Sequence, residues 1–244
     1  MIVDKLNTIL NSYPTDSTKY TISHFIKNHI LEIPTMPINT IALNCNTSKG
    51  QISKYVHSLG YETLADFKAD CKEYIDGMKR TKKDSYLVTK NHLKQLNQFT
   101  QDKIDTFNYA LANLNEKQLN LFINDFIQCD RVYIYARGHA RSLCNYIQNE
   151  LSTHYKEAII CDIDFTSDYH FTPNDLLLII SIDGNTFNFN QRVIRRIQQK
   201  EVKTWLISCN DQITTFTNKL YIPSNHDEYN DYLIRHILDF ILKY

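Results

Sequence analysis

From Leu6 to about Tyr74 the apolar residues recur at intervals of three and four, the spacing of one face of an α-helix. Ile22, Phe25, Ile26 and His29 mark one such face, and Leu64, Phe67, Cys71 and Tyr74 or Ile75 mark another. Helices alone account for this stretch. Helical spacing returns between Tyr86 and Cys129, with Ile104, Phe107, Leu111 and Leu114 on one helix and Leu119, Phe122, Ile123, Phe126 and Ile127 on the next. At Arg131 the pattern changes. "RVYIYARG", "EAII", "NDLLLIISIDGN", "VKTWLIS" and "NKLYIP" are short β-branched and aromatic runs, and helical segments follow the first, third and last. The continuous apolar run in the third predicts a strand buried on both faces of a parallel sheet. Alternating strands and helices predict a doubly wound α/β domain whose ligand crevice lies at the carboxyl ends of its strands.

The expected organisation is therefore a helical domain over residues 1–77, a linker over 78–90 and an α/β domain over 91–244. The linker is placed by "GMKRTKKDS", which joins a glycine to four basic residues and one acid. Within the helical domain, "TSKGQISKYVHSLGY" (Thr47–Tyr61) is punctuated as a single element. Ser48 and Gln51 have the S-x-x-Q spacing of a capping box, in which each side chain satisfies a free backbone N–H at the helix start. Gly60 stands where a left-handed C-terminal cap is needed. Ile52, Tyr55, Val56 and Leu59 fall on one stripe, leaving Gln51, Ser53, Lys54, His57 and Ser58 on the other. Upstream, "PINTIALNC" (Pro37–Cys45) predicts a second short helix with its proline in the first turn. Two short helices joined by a three- or four-residue turn make a helix-turn-helix. The same spacing also fits a small helical bundle with no nucleic-acid role. From Pro37 to Tyr61, however, the chain holds Lys49 and Lys54 and no acid, a sign that favours phosphate.

Composition narrows the picture. The 244 residues carry 27 basic and 27 acidic side chains, so any DNA contact is confined to a small face. The six cysteines form no C-x-x-C pair, which argues against zinc and against a disulfide framework, and no cofactor is expected. "MIVDKLNTIL" carries an acid inside its apolar stretch, and the longest apolar run, "LLLIISI", has seven residues, so a cytoplasmic protein without a membrane span is expected.

Gly138 and Gly184 each stand at an expected strand-to-helix turn, where backbone N–H groups and a helix start can gather an anion, although a tight turn calls for glycine on its own account. Ser181, Asp183, Asn185 and Thr186 surround the second of them. With "TSKGQISKYVHSLGY", "ARGHA" and "SIDGNT" in this order, the chain resembles the RpiR family of bacterial transcriptional regulators over nearly its whole length. That resemblance implies an N-terminal helix-turn-helix domain that binds DNA and a sugar isomerase (SIS) domain that senses a phosphosugar, in a homodimer or homotetramer on a double-stranded, palindromic operator. It assigns DNA contact to Ser48, Lys49, Gln51, Ser53, Lys54 and His57, and effector contact to Arg137, Gly138, His139, Ala140, Ser181, Asp183, Gly184, Asn185 and Thr186.

The family pattern S-x-x-T-[IV]-x-R-[F]-x-x-x-L-G-[FY] is met at Ser48, Ile52, Leu59, Gly60 and Tyr61, with Gln51, Lys54 and Tyr55 in place of the usual Thr, Arg and Phe. The effector loops depart further. The pattern G-x-G-x-S is replaced by Ala136 to Ala140, without the first glycine or the serine, and S-x-S-G-x-T becomes Ser181 to Thr186 with Asp183 at the second serine. A carboxylate beside a phosphate repels it unless offset by a cation, for which Arg137, His139 and Arg141 are at hand. Two other readings follow. In one, the α/β domain is a degenerate sensor that serves only to dimerise; in the other, the chain is a sugar-phosphate isomerase drawing a base from Glu150, Glu157, Glu228, His154 or His226.

Overall fold

The computed structural model describes residues 2–81, 91–184 and 191–243. The chain divides into two compact units, Met1–Asp84 and Ser85–Tyr244. Helices α1 (Ile2–Ser12), α2 (Thr18–Asn28), α3 (Ile38–Asn44), α4 (Lys49–Ser58) and α5 (Leu64–Thr81) build the first unit among its described residues. Their apolar stripes converge on a core that includes Leu6, Ile22, Ile26, Ile41, Ile52, Val56, Phe67 and Cys71. Residues 78–81, read from composition as linker, continue α5, and residues 82–90 of that expected linker lie outside the described residues.

The second unit begins with α6 (His92–Asn113) and α7 (Glu116–Gln128). A five-stranded, all-parallel sheet follows in the order β2-β1-β3-β4-β5, from β1 (Arg131–Ala136), β2 (Glu157–Ile160), β3 (Leu176–Ile180), β4 (Lys203–Ser208) and β5 (Asn218–Tyr221). Every residue of β3 is apolar and buried, which is what a central strand covered on both faces requires. On one face, Val132, Ile134, Leu178, Ile180 and Ile207 pack against α7, α8 (Arg141–Thr153) and α10 (Asn230–Ile241). On the other, Tyr133, Tyr135, Leu177, Ile179 and Leu206 pack against α9 (Gln191–Gln198) and the connection that leads from β2 to β3.

That connection contains no helix among its described residues, so its polar groups find partners in other ways. The Tyr133 and Tyr135 hydroxyls donate to the carbonyls of His170 (3.1 Å) and Ile163 (2.9 Å). Asp162 accepts from the backbone N–H groups of Asp164, Thr166 and Ser167 and from the Tyr169 hydroxyl. On β4, Trp205 Nε1 and Lys203 Nζ both donate to Asp125 on α7, at 2.8 and 2.6 Å.

Along helix α6 the buried residues are Thr106 and Ala110, while Phe107 and Leu114, which share a face with Ile104 and Leu111, are half-buried. Ile104 and Leu111 remain 45% and 56% exposed and fall on one stripe with the exposed Leu93 and Leu96. The helix carries more apolar arc than its own unit covers. On α7, Ile127 is likewise exposed.

Arg131, at the start of β1, and Asp175, just ahead of β3, form a bidentate ion pair. The guanidinium grips the fully buried carboxylate with Nε at 3.0 Å and Nη2 at 2.7 Å, and Thr172 N–H adds a third bond at 2.6 Å. Burial pushes the Asp175 carboxyl upward, and the bonds from Arg131 and Thr172 outweigh it, so the group ends below the ordinary carboxylate range. A depressed folded-state pKa gives stability that is present above the unfolded value and is lost as pH falls through the folded one. Asp175→Asn should therefore lower stability at neutral pH by about 1–3 kcal/mol, and the difference from the parent should shrink below about pH 4. Urea unfolding followed by the fluorescence of Trp205, the single tryptophan, measures both.

Candidate functional sites

In the first unit the candidate site is the outer face of α4. Ser48 is its N-cap and accepts from Gln51 N–H at 3.2 Å. The reverse bond of a capping box, from the Gln51 side chain, is absent among the described residues, so the Gln51 amide is exposed rather than spent on the cap. The other end is a Schellman cap. Gly60, at φ +85°, donates to His57 O at 2.9 Å, and Tyr61 N–H reaches Val56 O at 3.4 Å. Helix α3 ends in the same manner on Asn46 (φ +49°), with Asn46 N–H on Leu43 O and Thr47 N–H on Ala42 O, so residues 45–48 form the turn. Pro37 is the N-cap of α3, one place ahead of the first helical turn, because its ψ of 145° is extended.

Ile52, Tyr55, Val56 and Leu59 are buried, and Ser48, Lys49, Gln51, Lys54 and His57 are exposed, with Ser53 half-buried. His57 is turned partly back on the chain, because its Nδ1 meets Tyr61 O at 3.0 Å. The docked face is anchored by polar contacts as well. The Tyr55 hydroxyl shares a buried 2.6 Å hydrogen bond with Ser23 on α2, and Lys5 Nζ on α1 donates to Leu59 O at 2.8 Å while lying over the Tyr61 ring.

In the second unit the strand order places a topological switch between β1 and β3, since the chain leaves β1 toward one edge of the sheet and leaves β3 toward the other. Both loops singled out in the sequence follow these two strands. After β1, Arg137 is half-buried, and Gly138 (φ +61°), His139 and Ala140 form a 3₁₀ turn leading into α8. Ala140 takes the place of a serine with a buried methyl, and no side chain caps α8. Arg141, one of the candidate cations, is spent elsewhere, because Nη1 donates to Cys161 O at 2.6 Å.

After β3, Ser181 is buried and its N–H bonds Ile207 O at 3.1 Å, and Ile182 O accepts from Cys209 N–H at 2.9 Å, so the chain after β3 stays paired with the chain after β4. Asp183 is exposed and held from two sides. Its carbonyl accepts from Asn210 Nδ2 (3.1 Å), and its carboxylate accepts from Asn230 Nδ2 (2.8 Å) at the start of α10. Asn185 and Thr186 lie outside the described residues. Asn210 and Asn230 are absent from any motif reading. Asn210 lies two residues past the β4 run "WLIS", a position that marks it as a loop residue at the carboxyl edge, whereas Asn230 is 47 residues from Asp183 and leaves no local trace.

Three other features bear on the chemistry. A surface cavity of about 290 Å3, lined by Phe165, Ser167, Arg196 and Lys200 among others, lies against α9 and includes no residue of either loop. Among the described residues no cluster of His, Cys, Asp or Glu is arranged for a metal, and no helix is long and apolar enough to cross a membrane. All six cysteines are free thiols.

No family model and no curated protein matches the chain. Among solved structures it is similar to the NanR protein of Vibrio vulnificus, determined in complex with ManNAc-6P, over 100% of this chain and 90% of that one, with 13% identity and a TM-score of 0.49. The sugar isomerase domain of an RpiR transcription factor from Sphaerobacter thermophilus aligns with 61% of this chain and 87% of its own length, at 11% identity and a TM-score of 0.46. A hypothetical protein aligns with 61% of this chain and 86% of its own, at 11% identity and a TM-score of 0.51. The likeness to the hypothetical protein is one of fold alone. The parallel five-stranded sheet with helices on both faces is the doubly wound α/β architecture expected from the alternation of strands and helices.

Gly184 tests how tightly the second loop is built. Its φ is +79°, and a Cβ there would stand 2.7 Å from Asn210 Nδ2 and 3.0 Å from Ile213 Cδ1. Gly184→Ala should cost about 2–5 kcal/mol, the sum of a left-handed backbone penalty and an overpacking penalty. Denaturant unfolding followed by Trp205 fluorescence measures it, and an unchanged midpoint would show that the loop gives way freely.

Proposed function

We propose that this chain is a cytoplasmic DNA-binding transcriptional regulator, with an N-terminal helix-turn-helix that contacts an operator and an α/β unit that binds a sugar-derived effector. The observation that carries the reading is the outer face of α4, where Ser48, Lys49, Gln51, Lys54 and His57 are exposed together on a helix whose other face is fully docked. A short capped helix, offered outward with lysines and an amide and no acid, suits insertion in a major groove. Gln51, freed from the cap, can make the bidentate contact that amides make with adenine, while Lys49 and Lys54 can meet phosphate or guanine. Ser53 is half-buried and His57 bonded to Tyr61 O, so both take lesser parts.

The effector crevice lies between the Gly138 turn and the Ser181–Gly184 loop, at the switch between β1 and β3. The resemblance implies a phosphosugar there. Its phosphate is best received beside Gly138 and the side-chain-uncapped start of α8, on the side away from the Asp183 carboxylate. An isomerase is the weaker reading. Of its candidate bases, Glu150 and His154 at the end of α8 and Glu157 at the first position of β2 stand at the amino edge of the sheet, across from the crevice, whereas His226 and Glu228 follow β5 on the carboxyl side. A helix-turn-helix would also have no part in such an enzyme.

One short helix gives little specificity, so the chain acts as a two-fold assembly on a palindromic operator. The exposed stripe of Leu93, Leu96, Ile104 and Leu111 supplies apolar surface for a second copy, and Leu121 and Ile127 of α7 and Phe240 of α10 are exposed as well.

Lys54→Ala should weaken operator binding and lower the slope of log affinity against log salt by about one if the contact is to phosphate. If the contact is to a guanine edge, it should cost about 1–3 kcal/mol at one base pair. Gel-shift titration over the chain's own promoter region at several salt concentrations decides, and unchanged affinity removes Lys54 from the interface. A monomeric mass at micromolar concentration would remove the two-fold assembly.

A further inference from the structure

Glycine is used five times in the 244 residues, and Gly60, Gly138 and Gly184 stand at positive φ, where the turn requires it. Gly50 and Gly77 lie inside helices instead. At Gly50 the backbone is not left-handed, and a Cβ built there meets nothing nearer than Ser48 Oγ at 3.7 Å, an ordinary contact. Neither conformation nor packing within the unit asks for glycine at this position. Within a helix glycine is the poorest residue after proline, because it gives up the most backbone freedom. Alanine would serve α4 better, so the use of the glycine lies outside the fold of the unit.

Its place on the helix says where. At about 100° per residue, Gly50 stands nearly opposite the middle of the docked stripe of Ile52, Tyr55, Val56 and Leu59. Lys54 and His57 continue its line at i+4 and i+7, while Lys49 and Gln51 flank it on either side. All five of these residues are exposed. The crest of the presented face therefore starts at a residue without a side chain, with an amide and two lysines around it. A helix with its side chains is about 10–12 Å across, and the major groove is about 12 Å wide and about 8.5 Å deep, so the fit is close. The residue farthest from the docked face is the one that meets the floor of the groove.

We propose that Gly50 is the point at which α4 comes closest to DNA, and that its missing side chain sets how deep the helix lies in the major groove. That depth decides whether Gln51 and Lys54 reach base edges, which makes Gly50 a specificity-determining residue. This rests on the reading of the first unit as a DNA-binding domain. A methyl group at position 50 holds the helix away from the bases, and a larger side chain holds it further. Phosphate contacts made by flexible lysines survive such a shift, because they do not depend on the depth of the helix.

The experiment compares the full chain with Gly50→Ala and Gly50→Leu, by gel shift on the chain's own promoter region and on a scrambled duplex of the same length. Urea unfolding followed by far-ultraviolet circular dichroism is run on the same preparations. Gly50→Ala should leave the unfolding midpoint unchanged or raised, as its helix propensity requires. It should weaken promoter binding about tenfold or more, the worth of one lost base contact, and Gly50→Leu should weaken it further. Binding to the scrambled duplex should change by less than about twofold, because phosphate contacts carry it. A glycine needed only by the fold would lower the midpoint and would not separate the two duplexes. The proposal is overturned if Gly50→Ala binds the promoter as tightly as the parent, if both duplexes lose affinity in step, or if the midpoint drops. Any of these results with a parent that prefers its promoter sinks this proposal alone. A parent that does not distinguish the promoter from the scrambled duplex sinks the regulator reading, and this proposal with it.

Discussion

Burial of β3 on both faces is the constraint on which the α/β unit depends. A strand of five apolar residues with no exposed side must have layers above and below it, and its neighbours must run parallel so that helices can return over both faces. The strand order then places the loops after β1 and β3 side by side. The candidate crevice is a geometric result of that burial, and the residues in it are free to vary as long as the loops can still turn.

The two units differ in how much of them the sequence discloses, and the reason is range. The ends of α4 are written within four residues of themselves, by Ser48 at one end and Gly60 at the other, so spacing alone locates the helix and its docked stripe. The strands are equally plain, because runs such as "LLLII" have no other soluble use. Pairings across the sheet leave no such trace. Asp183 with Asn230, Arg131 with Asp175, and Trp205 with Asp125 are 47, 44 and 80 residues apart, and nothing periodic links them.

In helix α6 periodicity identifies the helix but cannot say which arc its own unit covers. Thr106 and Ala110 are inward, with Ile104 and Leu111 outward. Loop chemistry was half legible: the acid at Asp183 is visible as a departure from a pattern, but its clamp from Asn230 is not.

The three anchors of α4 give the first unit a property of its own. The helix start is set by Ser48, its middle by the Tyr55–Ser23 bond to α2, and its end by Lys5 of α1 on Leu59 O. The attitude of the presented face is thus held by elements that present nothing themselves. Exchanges at Ser23 or Lys5 can tilt that face while leaving each outward side chain intact, so the spacing of half-sites that two copies would accept is open to evolutionary adjustment independently of the bases they read.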